Sequence, residues 1–201
     1  MPKTGIILLA AGASTRLGRP KQLIPWNGET LLRHAANVAL TSQLGPVVVV
    51  LGAVERECRG TLTGLAVQIA VNPAWAAGMG GSISTGMLAL QNSAEPLDAV
   101  IIMLCDQPHV TPVKLRSLSD EQQRTQASVV AARYRKNDDP PGVPALFTAA
   151  RFSALSQLSG PIGAKKLIAG EPSLAFILCP EAASDIDTPD DLARAQRNAL
   201  G

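Results

Sequence analysis

Arg16 and Lys21 are the first side chains in this sequence whose placement invites chemistry. They follow Leu9-Ala10-Ala11-Gly12, a run of small residues along which a ligand can approach the backbone closely. Backbone N–H groups left free in such a turn receive anions. A guanidinium grips phosphate oxygens in pairs, and an ammonium adds a movable point charge. The combination reads as a cradle for a phosphorylated ligand. A plain strand-to-loop turn carrying a solvated arginine and lysine fits the same residues. Neither Walker A spacing nor Gly-x-Gly-x-x-Gly is present, which disfavours the two nucleotide-binding folds those motifs mark.

Two acidic positions can complete such a site. Asp106 follows the apolar run Ala99–Leu104 almost at once. A bound triphosphate needs a divalent cation, and magnesium takes one or two carboxylates alongside phosphate oxygens and water. Asp106 suits that role; an aspartate capping the next turn is the alternative. The second position lies in Asp185-Ile186-Asp187-Thr188-Pro189-Asp190-Asp191-Leu192. Thr188 is a good helix cap, Pro189 fits the first helical position, and Asp190 and Asp191 suit the first-turn dipole. Asp187 precedes the cap and is free to serve elsewhere, on one face with Asp185 if the segment is extended.

A second small-residue loop, Gly78-Met79-Gly80-Gly81-Ser82, leads into a helical pattern. Amides at such an N-terminus can bind an anion or a sugar hydroxyl, although a simple connector has the same composition. Ser84 has Ser82 rather than glycine two positions before it, so no nucleophile elbow is present. Cys58, Cys105 and Cys179 are far apart and form no Cys-x-x-Cys pair. They read as reduced thiols, and with only His34 and His109 to join them a zinc site is disfavoured.

The elements that must position these residues are legible as apolar runs. Gly5–Ala10, Val47–Leu51 and Ala99–Leu104 read as buried strands, with Leu65–Val71, Ser128–Ala132 and Leu174–Cys179 as further candidates. Helical patterns cover Thr30–Leu40, with Thr30 as cap, and Ser82–Leu90. The alternation predicts a three-layer α/β fold with a mostly parallel central sheet. Ligands in such sheets bind beyond the carboxyl ends of the strands, where Gly12 and Asp106 would then both lie. Asp138-Asp139-Pro140-Pro141-Gly142 reads as a loop. A length of 201 residues fits a single domain over 1–201. An apolar fraction of 46% excludes a disordered chain, and an aromatic fraction of 3% makes the core aliphatic. A net charge of +2 without a basic run disfavours nucleic acid as partner. No stretch is long enough for a membrane span and no signal peptide is recognisable, so the cytoplasm is expected.

The longer pattern Leu9-Ala10-Ala11-Gly12-x-Ser14-x-Arg16-Leu17-Gly18-x-x-Lys21 continues as Gln22-Leu23-Ile24-Pro25 and Gly28-x-Thr30-Leu31-Leu32. It resembles the signature of the nucleotidyltransferases of the molybdenum-cofactor group. Leu104-Cys105-Asp106-Gln107-Pro108 and the Asp185–Leu192 segment are similar to that family's metal-binding segments, and Gly78–Ser82 to its nucleotide contact. The resemblance implies a Rossmann-like nucleotidyltransferase fold. It implies Leu9, Ala10, Ala11, Gly12, Gly80, Gly81 and Ser82 around the nucleotide, with Arg16 and Lys21 neutralising the triphosphate. It implies Mg2+ on Asp106 and Asp187, Asp106 being catalytic together with Arg16 and Lys21. The acceptor would be a molybdopterin-type phosphate, with a transient contact to a molybdoenzyme afterwards. Ala-Ala-Gly rather than Ala-Gly-Gly implies CTP over GTP, because the Ala11 methyl leaves less room for a purine. The chain departs from the family pattern on the acceptor side, with Val143 where many members carry histidine and Pro161 in place of an aspartate. A different nucleotide or phosphorylated acceptor, or non-catalytic delivery of the cofactor, are the other readings.

Overall fold

The three continuous apolar runs become neighbours at the centre of one sheet. In the computed structural model, which describes residues 2–92, 96–135 and 140–199 and side chains as far as Ala195, the strands are β1 (Thr4–Ala10), β2 (Pro25–Trp26), β3 (Glu29–Thr30), β4 (Val47–Leu51), β5 (Gln68–Val71), β6 (Ala99–Leu104), β7 (Val129–Arg133), β8 (Gly142–Thr148) and β9 (Leu174–Leu178). The helices are α1 (Leu31–Thr41), α2 (Glu55–Thr61), α3 (Met79–Gln91), α4 (Pro112–Thr125), α5 (Phe152–Ser156), α6 (Ala164–Ala169) and α7 (Pro189–Ala199). The main sheet has the order β5-β4-β1-β6-β8-β7-β9, while β2 and β3 form a separate hairpin. Only β8 runs against its neighbours: it pairs antiparallel with both β6 and β7, and all other pairs in the main sheet are parallel.

Side chains that alternate along each strand build two cores, one on each face. Ile6, Leu8 and Ala10 of β1 pack toward α1, α2 and α4, with Leu32, Cys58 and Leu115. Ile7 and Leu9 pack toward α3, α5 and α6, with Ile83, Leu155 and Ile168. Burial on both faces explains why β1, β4 and β6 lack polar alternation. The result is the expected three-layer arrangement. A third, small cluster of Leu17, Ile24, Trp26, Leu31, Ile186, Leu192 and Ala195 lies outside the two main cores.

Several elements were not visible in the apolar pattern. β8 contains Gly142 and Pro144, residues that usually punctuate a strand, yet Gly142–Phe147 is buried throughout. Its antiparallel partners on both sides supply the burial that local propensity does not indicate. Polar α4 buries only Leu115, Leu118 and Ser119, and is marked instead by the Thr111 cap and Pro112. The strand expected over Leu65–Val71 shortens to β5, an edge strand with Gln68 and Val71 exposed. Of the expected loop Asp138–Gly142, Asp138 and Asp139 lie outside the described residues, and Gly142 opens β8.

Candidate active site

The sheet aligns β1 and β6 so that Leu9 is in register with Leu104. Both chains therefore leave the sheet at one edge, and the segments after Ala10 and after Leu104 meet there; the Cys105 amide donates to the Leu9 carbonyl at 3.3 Å. Between them opens a cleft of about 370 Å³. Leu9, Ala10, Ala11, Gly12, Lys21, Ser82 and Asp106 line it, as do Gln22, Trp75, Gly78 and Met79. The loop after β1 turns sharply, with Ser14 at φ 56° and Gly18 at φ 73°. Ser14 stabilises this turn by accepting from the Lys21 amide through Oγ at 3.1 Å. At Gly52 no side chain fits, because a Cβ there would lie 2.6 Å from the Ala11 carbonyl oxygen and 2.7 Å from Trp75 Cβ.

Asp106 and Asp187, 81 positions apart, come together on Lys21. The Lys21 ammonium donates to Asp106 Oδ2 and, at 2.9 Å, to Asp187 Oδ1. Arg16 adds an ion pair of 2.9 Å to Asp187 Oδ2 from the solvent side. The two loops are also joined through the backbone, since the Ile186 amide donates to the Asp106 carbonyl at 3.0 Å. Burial works against the Lys21 charge, but the charge and hydrogen bond of Asp106, with help from Asp187, outweigh it and hold the ammonium above the usual lysine range. The hydrogen bond from Lys21, then the charges of Lys21 and Arg16, hold Asp187 below the usual carboxylate range against its partial burial. In the same segment the Asp185 carboxyl is pushed up to about 6 by desolvation, then by the charge of Asp106.

The donor set fits a hard divalent cation. Asp106 Oδ1 is buried and has no hydrogen-bond partner among the described residues, a costly state for a carboxylate oxygen unless a cation meets it. Among the described residues no group of three or more His, Cys, Asp and Glu forms a full protein cage. Two carboxylates leave the remaining positions to water and phosphate, the arrangement magnesium and manganese commonly accept.

Two expected nucleotide contacts fall elsewhere. Helix α3 starts at Met79, three residues earlier than its pattern indicated, so Gly80 and Gly81 lie in its first turn and do not line the cleft. The Gly80 amide donates to the Gly160 carbonyl at 3.0 Å, and a Cβ on Gly80 would collide with the backbone of Ser159 and Ile162. Gly81 packs beside the Asn72 side chain. These glycines allow close packing, whereas Ser82 reaches the cleft, its Oγ held by Asn72 Nδ2 at 3.0 Å. Asn72, which with Pro73 belongs to the second small-residue loop of the sequence, supports the cleft through Ser82 without lining it. Gln22 and Trp75 are cleft residues the motif reading did not single out; only Gln22, adjacent to Lys21 in the long pattern, left a signal. His109 stacks edge-on against Trp26 and does not line the cleft.

Residues 6–175 match the family model described as the MobA-like NTP transferase domain. The chain belongs to the MobA-like NTP transferase family. It is 33% identical to nicotine blue oxidoreductase of Paenarthrobacter nicotinovorans, covering 94% of each chain. It is 46% identical to a probable molybdenum cofactor guanylyltransferase of Bacillus cereus over 50 residues, 25% of this chain and 24% of that protein. Rv0371c of Mycobacterium tuberculosis, solved in complex with manganese, superposes with a TM-score of 0.76 at 26% identity, covering 96% of this chain and 97% of that one. That structure shows a divalent metal bound by a protein of the same fold. No helix among the described residues is long and apolar enough to cross a membrane.

Proposed function

We propose that this protein transfers CMP from CTP to the phosphate of a molybdopterin-type acceptor and releases pyrophosphate. The observation that carries the reading is the meeting of Asp106 and Asp187, from opposite halves of the chain, on one cationic position beside the loop after β1. Binding a nucleotide alone does not require two paired carboxylates. A divalent cation held by Asp106 and Asp187, Mg2+ in this proposal, supplies neutralisation of the triphosphate charge. Lys21 and Arg16 take up charge on the departing pyrophosphate in this proposal. The acceptor phosphate is already ionised at neutral pH, so no general base is required, and no histidine lines the cleft. Ala11 is 7% exposed and lines the cleft, and a side chain at this position in place of glycine favours the smaller pyrimidine base. The three cysteines are free and buried, in keeping with a cytoplasmic protein.

A second reading has the relative named nicotine blue oxidoreductase behind it: the chemistry at the cleft is oxidation and reduction. Paired acidic side chains around a lysine are not demanded by that chemistry, which is why transfer of a nucleotidyl group is preferred. The deciding experiment measures pyrophosphate release from each of the four triphosphates, with and without molybdopterin, beside oxidation of reduced nicotinamide dinucleotides. Release from CTP that depends on the acceptor is expected. A preference for GTP would overturn the argument from Ala11, and nicotinamide oxidation without pyrophosphate release would overturn the transferase reading.

A further inference from the structure

Gln22 is 1% exposed and sits in the short turn Lys21–Leu23, beneath the loop that follows β1. Its Nε2 donates to two carbonyls of that loop, Ala10 at 2.8 Å and Gly12 at 2.7 Å. Its Oε1 accepts from Ser14 Oγ at 3.4 Å. The carbonyl between the two, that of Ala11, turns the other way and accepts from the Ala53 amide at 3.0 Å. In a planar trans peptide the N–H of the next residue points opposite to the carbonyl. Fixing the Ala10 and Gly12 carbonyls on Gln22 therefore aims the Ala11 and Ala13 amides away from it. Ala11 and Ala13 both line the cleft. No backbone carbonyl among the described residues accepts from either amide.

We infer that Gln22 is a positioning residue, whose carboxamide sets the peptide planes of the β1 loop so that Ala11 and Ala13 present a pair of amides to a phosphate oxygen. The identity of that phosphate as part of a nucleoside triphosphate rests on the proposed function; the geometry asks only for a polyphosphate anion. Side-chain packing alone would be served by any group of similar shape, but the amide orientation requires a double donor at this position. Gln22→Glu keeps the shape and removes the donors, setting a carboxylate against two carbonyl oxygens. Gln22→Asn keeps the donors on a shorter arm and is the milder variant if Gln22→Glu does not fold.

The test titrates inorganic tripolyphosphate into the wild type and both variants, following backbone amide resonances, with turnover assayed separately. In the wild type the Ala11 and Ala13 amides are expected to show large shifts on binding. In a folded Gln22→Glu protein those shifts disappear and affinity falls by about tenfold or more. Gln22→Asn falls between. Unchanged tripolyphosphate affinity in either folded variant overturns the inference, as does a wild type whose Ala11 and Ala13 amides do not respond. Amide shifts without turnover on any acceptor would instead retain the role of Gln22 and remove the transferase reading.

Discussion

At Asp106 one carboxylate oxygen is held by the Lys21 ammonium and the other is buried without a partner. Asp106→Asn preserves size and nearly preserves shape, yet withdraws the charge that a divalent cation and Lys21 both require. Pyrophosphate release is expected to fall by about a hundredfold or more, since metal charge stabilisation contributes several kcal/mol. Far-ultraviolet circular dichroism should not change; a variant with normal turnover would remove Asp106 from the metal site. The cysteines allow a second test at this scale. Burial pushes the Cys58 and Cys179 thiols up to about 11, and the nearby Glu57 and Glu181 charges add to it. The thiolate is the reactive form, so both thiols should resist iodoacetamide at neutral pH in the native protein. Mass spectrometry should find them modified only after unfolding in urea.

Among the elements, α7 does more than pack Leu192 and Ala195 into the third cluster. Thr188 and Asp191 cap it reciprocally: Thr188 Oγ1 accepts from the Asp191 amide at 3.2 Å, and Asp191 Oδ2 accepts from the Thr188 amide at 2.9 Å. The same Oδ2 accepts from the Asp187 amide at 3.3 Å, so the cap also fixes the backbone of a proposed metal ligand. Asp191→Ala should therefore act in two ways. Loss of the cap lowers stability by about 1 kcal/mol in urea unfolding. Loosening of Asp187 raises the magnesium concentration needed for half-maximal turnover, while the rate at saturating magnesium falls less. An unchanged magnesium requirement would leave Asp191 as a structural cap alone.

At the scale of the whole molecule, the third small core ties the segment from Leu17 to Leu31 to the C-terminal segment from Ile186 to Ala195. Leu17 from the loop after β1, Trp26 and Leu31 around the hairpin, and Ile186 and Leu192 from the C-terminal segment pack into one cluster. Ile186 is fully buried there, and its amide holds the Asp106 carbonyl. Truncation of such a side chain typically costs about 2–5 kcal/mol, so Ile186→Ala should lower the urea midpoint clearly. It should also weaken metal dependence of turnover more than Leu155→Ala, a buried residue of the α3-side core. Equal effects of the two variants on the magnesium requirement would show that the third core stabilises the fold without serving the site.

The sequence by itself determined the central strands, because residues buried on both faces must be apolar throughout and short. It also determined the loop from Leu9 to Lys21 and the position of Asp106, because small residues, cations and a carboxylate fall directly after such runs. What local pattern could not carry was anything set by partners far along the chain. β8 is a strand because β6 and β7 flank it, despite Gly142 and Pro144. Gly80 is a packing position because α3 begins at Met79 and presses it against the segment near Gly160, and Gly81 lies beside Asn72. Gln22 looked like one more polar residue after a motif; only the folded loop shows its carboxamide between the Ala10 and Gly12 carbonyls. The meeting of Asp106 with Asp187 belongs to the tertiary structure in the same way, since Ile186 and α7 must dock before the second carboxylate reaches Lys21.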